Sequence, residues 1–291
     1  MIRKNKVKNL FQTYKKDFDY CEKIIKEHSK SFYAAFSTLP KEEAMSVYAI
    51  YAFCRKADDI VDELADAKAL EQLRNELELF EQGNEPDHPV WRALRVVFQT
   101  YEMDIDPFYD MIIGQEKDLA FEQPNTQQDL EDYSYYVAGT VGLMLLPLLT
   151  RYSAELQDKA ISLGVAMQIT NILRDIGEDL DNNRVYIPKD VMEKFGYTDE
   201  MLRNKTINQE FINLWEYEAN LAETYYEQSM VLIDRMNDKA KKPLLLSLLF
   251  YKEILEAVRS SEYDCFTKRN SVSKKRKLEL LNQAQVYLTN N

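Results

Sequence analysis

Gln168-Ile169-Thr170-Asn171-Ile172-Leu173-Arg174-Asp175-Ile176-Gly177-Glu178-Asp179 is the stretch on which the fold turns. It lies inside a helical pattern over 154–180 and ends in an acidic D-x-x-x-D cassette. Four residues advance a helix by about 6 Å and just over one turn, so Asp175 and Asp179 share a face. A second cassette, Asp58-Asp59-Ile60-Val61-Asp62, has the same spacing and also falls in a helical stretch. Two such faces opposed across a cleft would aim four carboxylates at one volume. Unpaired, they would repel and take up protons, whereas a hard cation such as Mg²⁺ neutralises them and can also grip a phosphate-bearing substrate. Arg55, Arg174 and Arg184 beside the cassettes match phosphate oxygens bidentately, which points to a metal-bridged diphosphate site rather than a solvated acidic surface.

The rest of the chain fits that setting. With 291 residues and 45% hydrophobic content it can bury a large core, and 7 Gly and 8 Pro leave too few turn residues for a many-stranded sheet. One all-α domain over 1–291 is expected, with 1–16 as a basic N-terminal extension. Cys21, Cys54 and Cys265 are widely spaced and odd in number, so neither a disulfide framework nor a zinc site is indicated and a reducing cytoplasm is the natural compartment. No signal peptide and no bilayer-length apolar run is read from the sequence. A net charge of -12 argues against nucleic-acid binding. The basic runs 1–16 and 268–277 read either as solvated helix ends or as peripheral contacts to an anionic membrane.

Helices are expected at 17–36, from Pro40 to about Leu64, and at 71–82, 88–101, 106–121, 129–151, 154–180, 209–236, 242–260 and 273–288. Gly83-Asn84-Glu85-Pro86 is the clearest loop in the first third. Gly139 and Gly142 sit three apart in a helical, apolar stretch, where each glycine costs about 1 kcal/mol relative to alanine. Close helix packing or an apolar ligand lying on bare backbone would each account for them, with Gly164, Ala166 and Met167 as a matching wall.

The blocks His28-Ser29-Lys30-Ser31-Phe32, Tyr51-Ala52-Phe53-Cys54-Arg55-Lys56-Ala57-Asp58-Asp59, Val137-Ala138-Gly139-Thr140-Val141-Gly142 and 168–179, followed by Arg184-Val185-Tyr186-Ile187-Pro188, resemble the squalene/phytoene synthase family in order and spacing. The resemblance covers about 20–277 and implies an isoprenoid synthase helical bundle around a hydrophobic cavity. It implies head-to-head joining of two farnesyl diphosphates through presqualene diphosphate, with a C30 carotenoid precursor as product and a carotenoid desaturase downstream. It also implies Mg²⁺, about two or three ions, held by Asp58, Asp62, Asp175 and Asp179 with help from Asn171. Diphosphate contacts would come from Ser29, Arg55, Arg174, Tyr186 and Lys268, with Tyr251 near the substrate; Lys268 stands where relatives commonly carry arginine, and Arg269 is adjacent. Phe32, Phe36, Tyr51 and Tyr133 would offer π faces to allylic cations. Val141, Gly142, Leu145, Met167 and Gln168 would line the hydrocarbon channel. With only His28 and His88 in the chain, metal chemistry through imidazole is not expected. No NADPH is expected. C20 substrates, NADPH-dependent squalene formation, and a helical nucleotide pyrophosphohydrolase remain as rivals. Phe36, one turn beyond Phe32, is read as a ring that shortens the pocket toward C15 chains.

Overall fold

The computed structural model describes residues 10–61 and 66–290, and among them every regular element is helical. The chain forms two compact units. The first comprises 1–120, 140–157 and 235–244; the second comprises 121–139, 158–234 and 245–291. Two long helices, Ser153–Asp181 and Asp238–Arg259, contribute residues to both.

In the first unit, helix Lys41–Asp59 is the central element and packs against Lys15–His28, Pro89–Thr100, Asp106–Leu119 and Thr140–Leu149. Val47, Ile50, Phe53 and Ala57 of this helix are fully buried, an i, i+3, i+6, i+10 stripe that faces the core. Phe53 sits edge-on to Trp91 (5.7 Å) and Phe108 (5.1 Å). Trp91 donates its indole N–H to Glu76 at 2.9 Å, so the ring is buried without an orphaned donor. Pro89 opens its helix at the first position, where its missing N–H is not needed, and His88 Nδ1 accepts from Val90 N.

The second unit is organised by the 158–181 part of the long helix and by Gln209–Ser229. Trp215 donates to the Leu173 carbonyl at 3.2 Å, and the hydroxyls of Thr170 and Tyr226 meet at 2.9 Å, so the polar atoms between these helices are paired. Segment 123–127 runs beside 187–190: Lys189 N donates to Pro124 O and Asp190 N to Asn125 O, both at 3.0 Å, and Gln123 Nε2 to Ile187 O at 2.8 Å. Thr126 and Asp129 close a reciprocal capping box that starts helix Gln127–Ser134.

Several expected boundaries are corrected. The helix expected over 17–36 breaks at Ser29, whose φ of -143° leaves the helical region, giving Lys15–His28 and Lys30–Phe36. The one expected over 129–151 is interrupted by a π-helical turn, Tyr135–Gly139. That turn explains Gly164. A Cβ on Gly164 would stand 2.4 Å from the Ala138 carbonyl oxygen and 2.7 Å from Gly139 Cα, so bare backbone is required for the long helix to meet the π turn. Close packing, rather than a ligand, accounts for Gly164. The stretch 209–236 divides into Gln209–Ser229 and Val231–Arg235, and two short helices, Lys189–Phe195 and Asp199–Arg203, were not expected. Among the described residues no helix is long and apolar enough to cross a membrane.

Candidate active site

In the first unit one face of helix Lys41–Asp59 stays open. Tyr51, Arg55, Asp58 and Asp59 are half-buried while Ala52, Phe53, Cys54 and Ala57 are sealed, and the open residues follow i, i+4, i+7, i+8 spacing. Asp58 accepts a hydrogen bond from Gln115 Nε2 at 2.7 Å, and Gln115 is only 4% exposed. Arg55 pairs with Asp59 one turn on. Ser29 and Tyr51 share a hydrogen bond; burial pushes the Tyr51 phenol up to about 12, with Arg55 opposing. Phe32 lies 4.4 Å from Phe36 and 5.9 Å from Tyr51, ring centre to ring centre, so the break at Ser29 brings the serine and two phenylalanines onto this helix beside Tyr51. Leu145 is buried, and Val141 and Gly142 are half-buried. Asp62, expected as the second carboxylate of this cassette, lies outside the described residues.

The second unit repeats the pattern. Along Ser153–Asp181 the half-buried residues Met167, Gln168, Asn171, Arg174, Asp175 and Asp179 form one stripe, grading from thioether to amide to charge. Gln168 and Asn171 approach at 3.5 Å. Arg174 Nε donates to Asp175 Oδ1 at 2.7 Å, and its Nη2 donates to the other oxygen, a fork held with both side chains under 15% exposed, at 13% and 14%. Burial works against the Arg174 charge, but the Asp175 hydrogen bonds, together with Tyr251 and Glu178, outweigh it and hold its pKa above the ordinary value. Arg269 adds a second guanidinium, with Nη2 3.2 Å from Asp175 Oδ2 and Nη1 3.6 Å from Glu178. Burial pushes the Tyr251 phenol up, and Arg174 and Arg269 oppose it, so the three residues share one electrostatic neighbourhood.

Lys268 and Arg269 both line an open cleft of about 300 Å³ with Arg174, Asp175 and Glu178. Of the two, Arg269 is the one that reaches the cassette carboxylate. Beyond it, Tyr186 stacks on Tyr133 at 5.1 Å and meets Phe121 edge-on at 5.0 Å, while Arg184 donates to the Tyr186 hydroxyl at 3.1 Å and lies 5.7 Å over Phe121. Sequence reasoning left Lys268 and Arg269 as alternatives and did not single out Gln115 or Phe121. Gln115 carries a signal: it follows Met111 and Ile112 at core spacing, and a polar residue on a core-facing position calls for a partner.

Among the described residues no group of three His, Cys, Asp or Glu side chains converges into a ready metal cage. Mg²⁺ does not need one, since it is held by one or two carboxylates together with substrate phosphates and water. The half-open oxygen donors Asp58, Asp175, Asp179 and Asn171 fit that mode of binding.

Residues 25–276 match the family model for squalene/phytoene synthase. The chain belongs to the squalene/phytoene synthase family. It is 35% identical over 258 residues to 4,4'-diapophytoene synthase of Staphylococcus haemolyticus, covering 86% of this chain and 90% of the relative. It is 34% identical over 277 residues to 15-cis-phytoene synthase of Synechococcus elongatus, covering 90% of each. The crystal structure of a dehydrosqualene synthase in complex with ligand superposes with a TM-score of 0.93 at 48% identity, over 97% of this chain and all of that one. The all-α isoprenoid synthase fold expected from the sequence is thereby established.

Proposed function

We propose that the protein joins two molecules of farnesyl diphosphate head to head, through presqualene diphosphate, into dehydrosqualene (4,4'-diapophytoene), the opening step of C30 carotenoid synthesis. The full-length match to a dehydrosqualene synthase at 48% identity carries this reading. Overall, two diphosphates leave and two protons are lost, one on closing the cyclopropane and one at the end. Mg²⁺ bound by Asp58, Asp62, Asp175, Asp179 and Asn171 would supply Lewis-acid neutralisation of the leaving diphosphate.

The chain's own residues do the rest. Arg174, forked on Asp175, and Arg269, in contact with the same carboxylate, offer up to five N–H donors each and can turn from carboxylate to phosphate oxygens of the same geometry. Arg55 plays that part beside Asp58, with Ser29, Tyr186 and Lys268 as neutral and cationic donors. Phe32, Phe36 and Tyr51, and in the other unit Tyr133, present π faces that stabilise an allylic cation by up to about 2 kcal/mol each when water is excluded. Tyr51, a phenol ordinarily protonated near neutral pH and pushed further up by burial, offers a ring rather than a phenolate oxygen.

A C20 reading, phytoene synthesis, has the 34% match to a phytoene synthase in its favour. Phe36 favours the C15 reading: it is 2% exposed and packed on Phe32, a filled position one turn beyond the cation-facing ring. Incubation of purified protein with Mg²⁺ and farnesyl diphosphate, with and without NADPH, tests the proposal. A C30 conjugated triene formed in both cases supports it; squalene formed only with NADPH, or turnover of geranylgeranyl diphosphate alone, overturns it.

A further inference from the structure

Gly177 lies in the middle of the second cassette, between Asp175 and Asp179, and helix propensity alone disfavours it by about 1 kcal/mol relative to alanine. Its backbone N–H makes a contact unusual for a helix interior: it donates to the Cys265 carbonyl at 3.1 Å. A Cβ built on Gly177 would stand 2.4 Å from Phe266 O, 2.5 Å from Phe266 Cα and 2.8 Å from Cys265 O. All three are backbone atoms, which cannot swing aside as a side chain can.

The segment that presses on Gly177 is held from its other side as well. Glu262 and Tyr263 take left-handed φ values of 54° and 61°, a conformation that non-glycine residues keep only where their surroundings enforce it. The enforcement is visible: Tyr263 donates its hydroxyl to Glu216 at 2.8 Å, and Arg259 forks onto the same carboxylate at 2.9 and 2.8 Å. Asp264 then closes a turn by accepting from Phe266 N at 3.3 Å and Thr267 N at 3.0 Å, and buried Asn270 donates to Asp264 O at 2.8 Å. A stem fixed at Glu216, a turn fixed at Asp264 and a seat at Gly177 leave Lys268 and Arg269 one place to stand, on the cleft beside Arg174, Asp175 and Glu178.

We propose that Gly177 is a positioning residue: its bare backbone is the seat on which the 264–269 loop docks, and the docking sets Lys268 and Arg269 against the diphosphate held by the second cassette. This rests on the prenyl-diphosphate reading of the site. Gly177 touches neither substrate nor metal in this role and acts through the two cations. A methyl group at 177 lifts the loop, and the two cations lose their register while the helix itself gains propensity.

The test combines Gly177→Ala with Asp264→Ala, which loosens the same loop without touching the helix, and with the double variant Lys268→Ala/Arg269→Ala. Gly177→Ala and Asp264→Ala should each raise KM for farnesyl diphosphate about 10- to 100-fold, the equivalent of one charge-assisted hydrogen bond, with kcat within about threefold. In the double-variant background the Gly177→Ala change should add nothing further to KM. Limited trypsin digestion, which needs no activity, should cut after Lys268 or Arg269 faster in Gly177→Ala and Asp264→Ala than in the parent. Unchanged KM and digestion in Gly177→Ala overturns the proposal, and so does a KM rise that adds fully to that of the double variant. Should Gly177→Ala fail to fold, Asp264→Ala carries the test: parent-like digestion and KM there refute the docking. Parent protein that binds no farnesyl diphosphate refutes the functional reading instead, and the digestion comparison still decides the docking.

Discussion

Asp58 and Asp175 each stand on the open face of a long helix beside an arginine, and different side chains reach them from the elements packed alongside. Asp58 takes a neutral amide from buried Gln115 at 2.7 Å, and its neighbour Arg55 turns to Asp59. Asp175 is gripped by two guanidinium groups, Arg174 through a fork and Arg269 from the 264–269 loop. Aromatic surroundings differ in the same sense. Phe32 and Phe36 in the first unit form a purely hydrocarbon pair joined to Tyr51, whereas Tyr186 in the second carries a hydroxyl that accepts from Arg184. Around Asp175 the second unit thus gathers cations, and around Asp58 the first combines carboxylates with a hydrocarbon wall. One sequence cassette, repeated, serves two different environments.

If both carboxylates are needed for one diphosphate chemistry, Asp58→Asn and Asp175→Asn should each lower kcat/KM on farnesyl diphosphate by about 10³-fold, the scale of losing one electrostatic contact to a transition state. Product formation from labelled substrate measures it. A large loss in one variant and near-normal turnover in the other would break the pairing of the cassettes. Stability should separate them in a second way. Asp175→Ala strands the Arg174 guanidinium, whose side chain is 13% exposed, and should cost about 3 kcal/mol, while the loss of the Asp58 acceptor for the Gln115 amide in Asp58→Ala should cost about 1 to 2 kcal/mol. Urea denaturation of both variants gives the difference, and equal losses would show that the cation-rich setting of Asp175 has no structural weight.

Much of this was legible in the chain. The helices and the 168–179 block follow from periodicity and acidic spacing, because a 3.6-residue repeat survives whatever packs against it. What periodicity does not carry is local backbone geometry that tertiary contact imposes. The Ser29 break, the π turn at Tyr135–Gly139 and the approach of Cys265–Phe266 to Gly177 depend on partners far away in sequence. Gly177 looked like part of an acidic motif when it is a place where backbone meets backbone. The 268/269 ambiguity had the same origin: adjacent cations on a loop are equivalent in sequence, and only the fixed turn at Asp264 puts Arg269 on Asp175.

The second unit also buries a carboxyl that no site chemistry uses. Glu218 is fully buried, receives Gln127 Nε2 at 3.3 Å, and faces Glu131, Asp190 and Lys194; burial first, then the two acids, push its pKa up to about 7 against the opposing pull of Gln127 and Lys194. Glu218 Oε1 and Gln127 Oε1 both lack a partner, as expected if a protonated carboxyl has a proton to share with the amide oxygen. A pKa raised on folding means that the folded state binds the proton more tightly. Its contribution is complete below the ordinary value near 4.5 and is lost as pH rises through about 7, on the order of 3 kcal/mol in total. Unfolding free energy should therefore fall between pH 5 and 8 in the parent and fall less in Glu218→Gln. Parallel curves would show that Glu218 is ionised in the fold.

The smallest effect tests the aromatic half of the comparison. If the first unit's rings measure hydrocarbon and the second unit's rings serve the diphosphate end, then Phe36→Ala and Tyr186→Phe should fail in different ways. Removing the Phe36 ring opens space beyond Phe32, and a pocket change of this kind shifts substrate preference by about tenfold, so C20 turnover should rise relative to C15 while the Ki of inorganic diphosphate stays put. Tyr186→Phe removes only the hydroxyl that Arg184 donates to, leaving the stack on Tyr133 in place, and should weaken diphosphate inhibition several-fold, about the value of one hydrogen bond, with no change in chain-length preference. Competition between farnesyl and geranylgeranyl diphosphates, read by product mass, separates the two outcomes. Tyr186→Phe altering chain length, or Phe36→Ala altering diphosphate inhibition alone, would mean that hydrocarbon and phosphate recognition are not divided between the two aromatic sets.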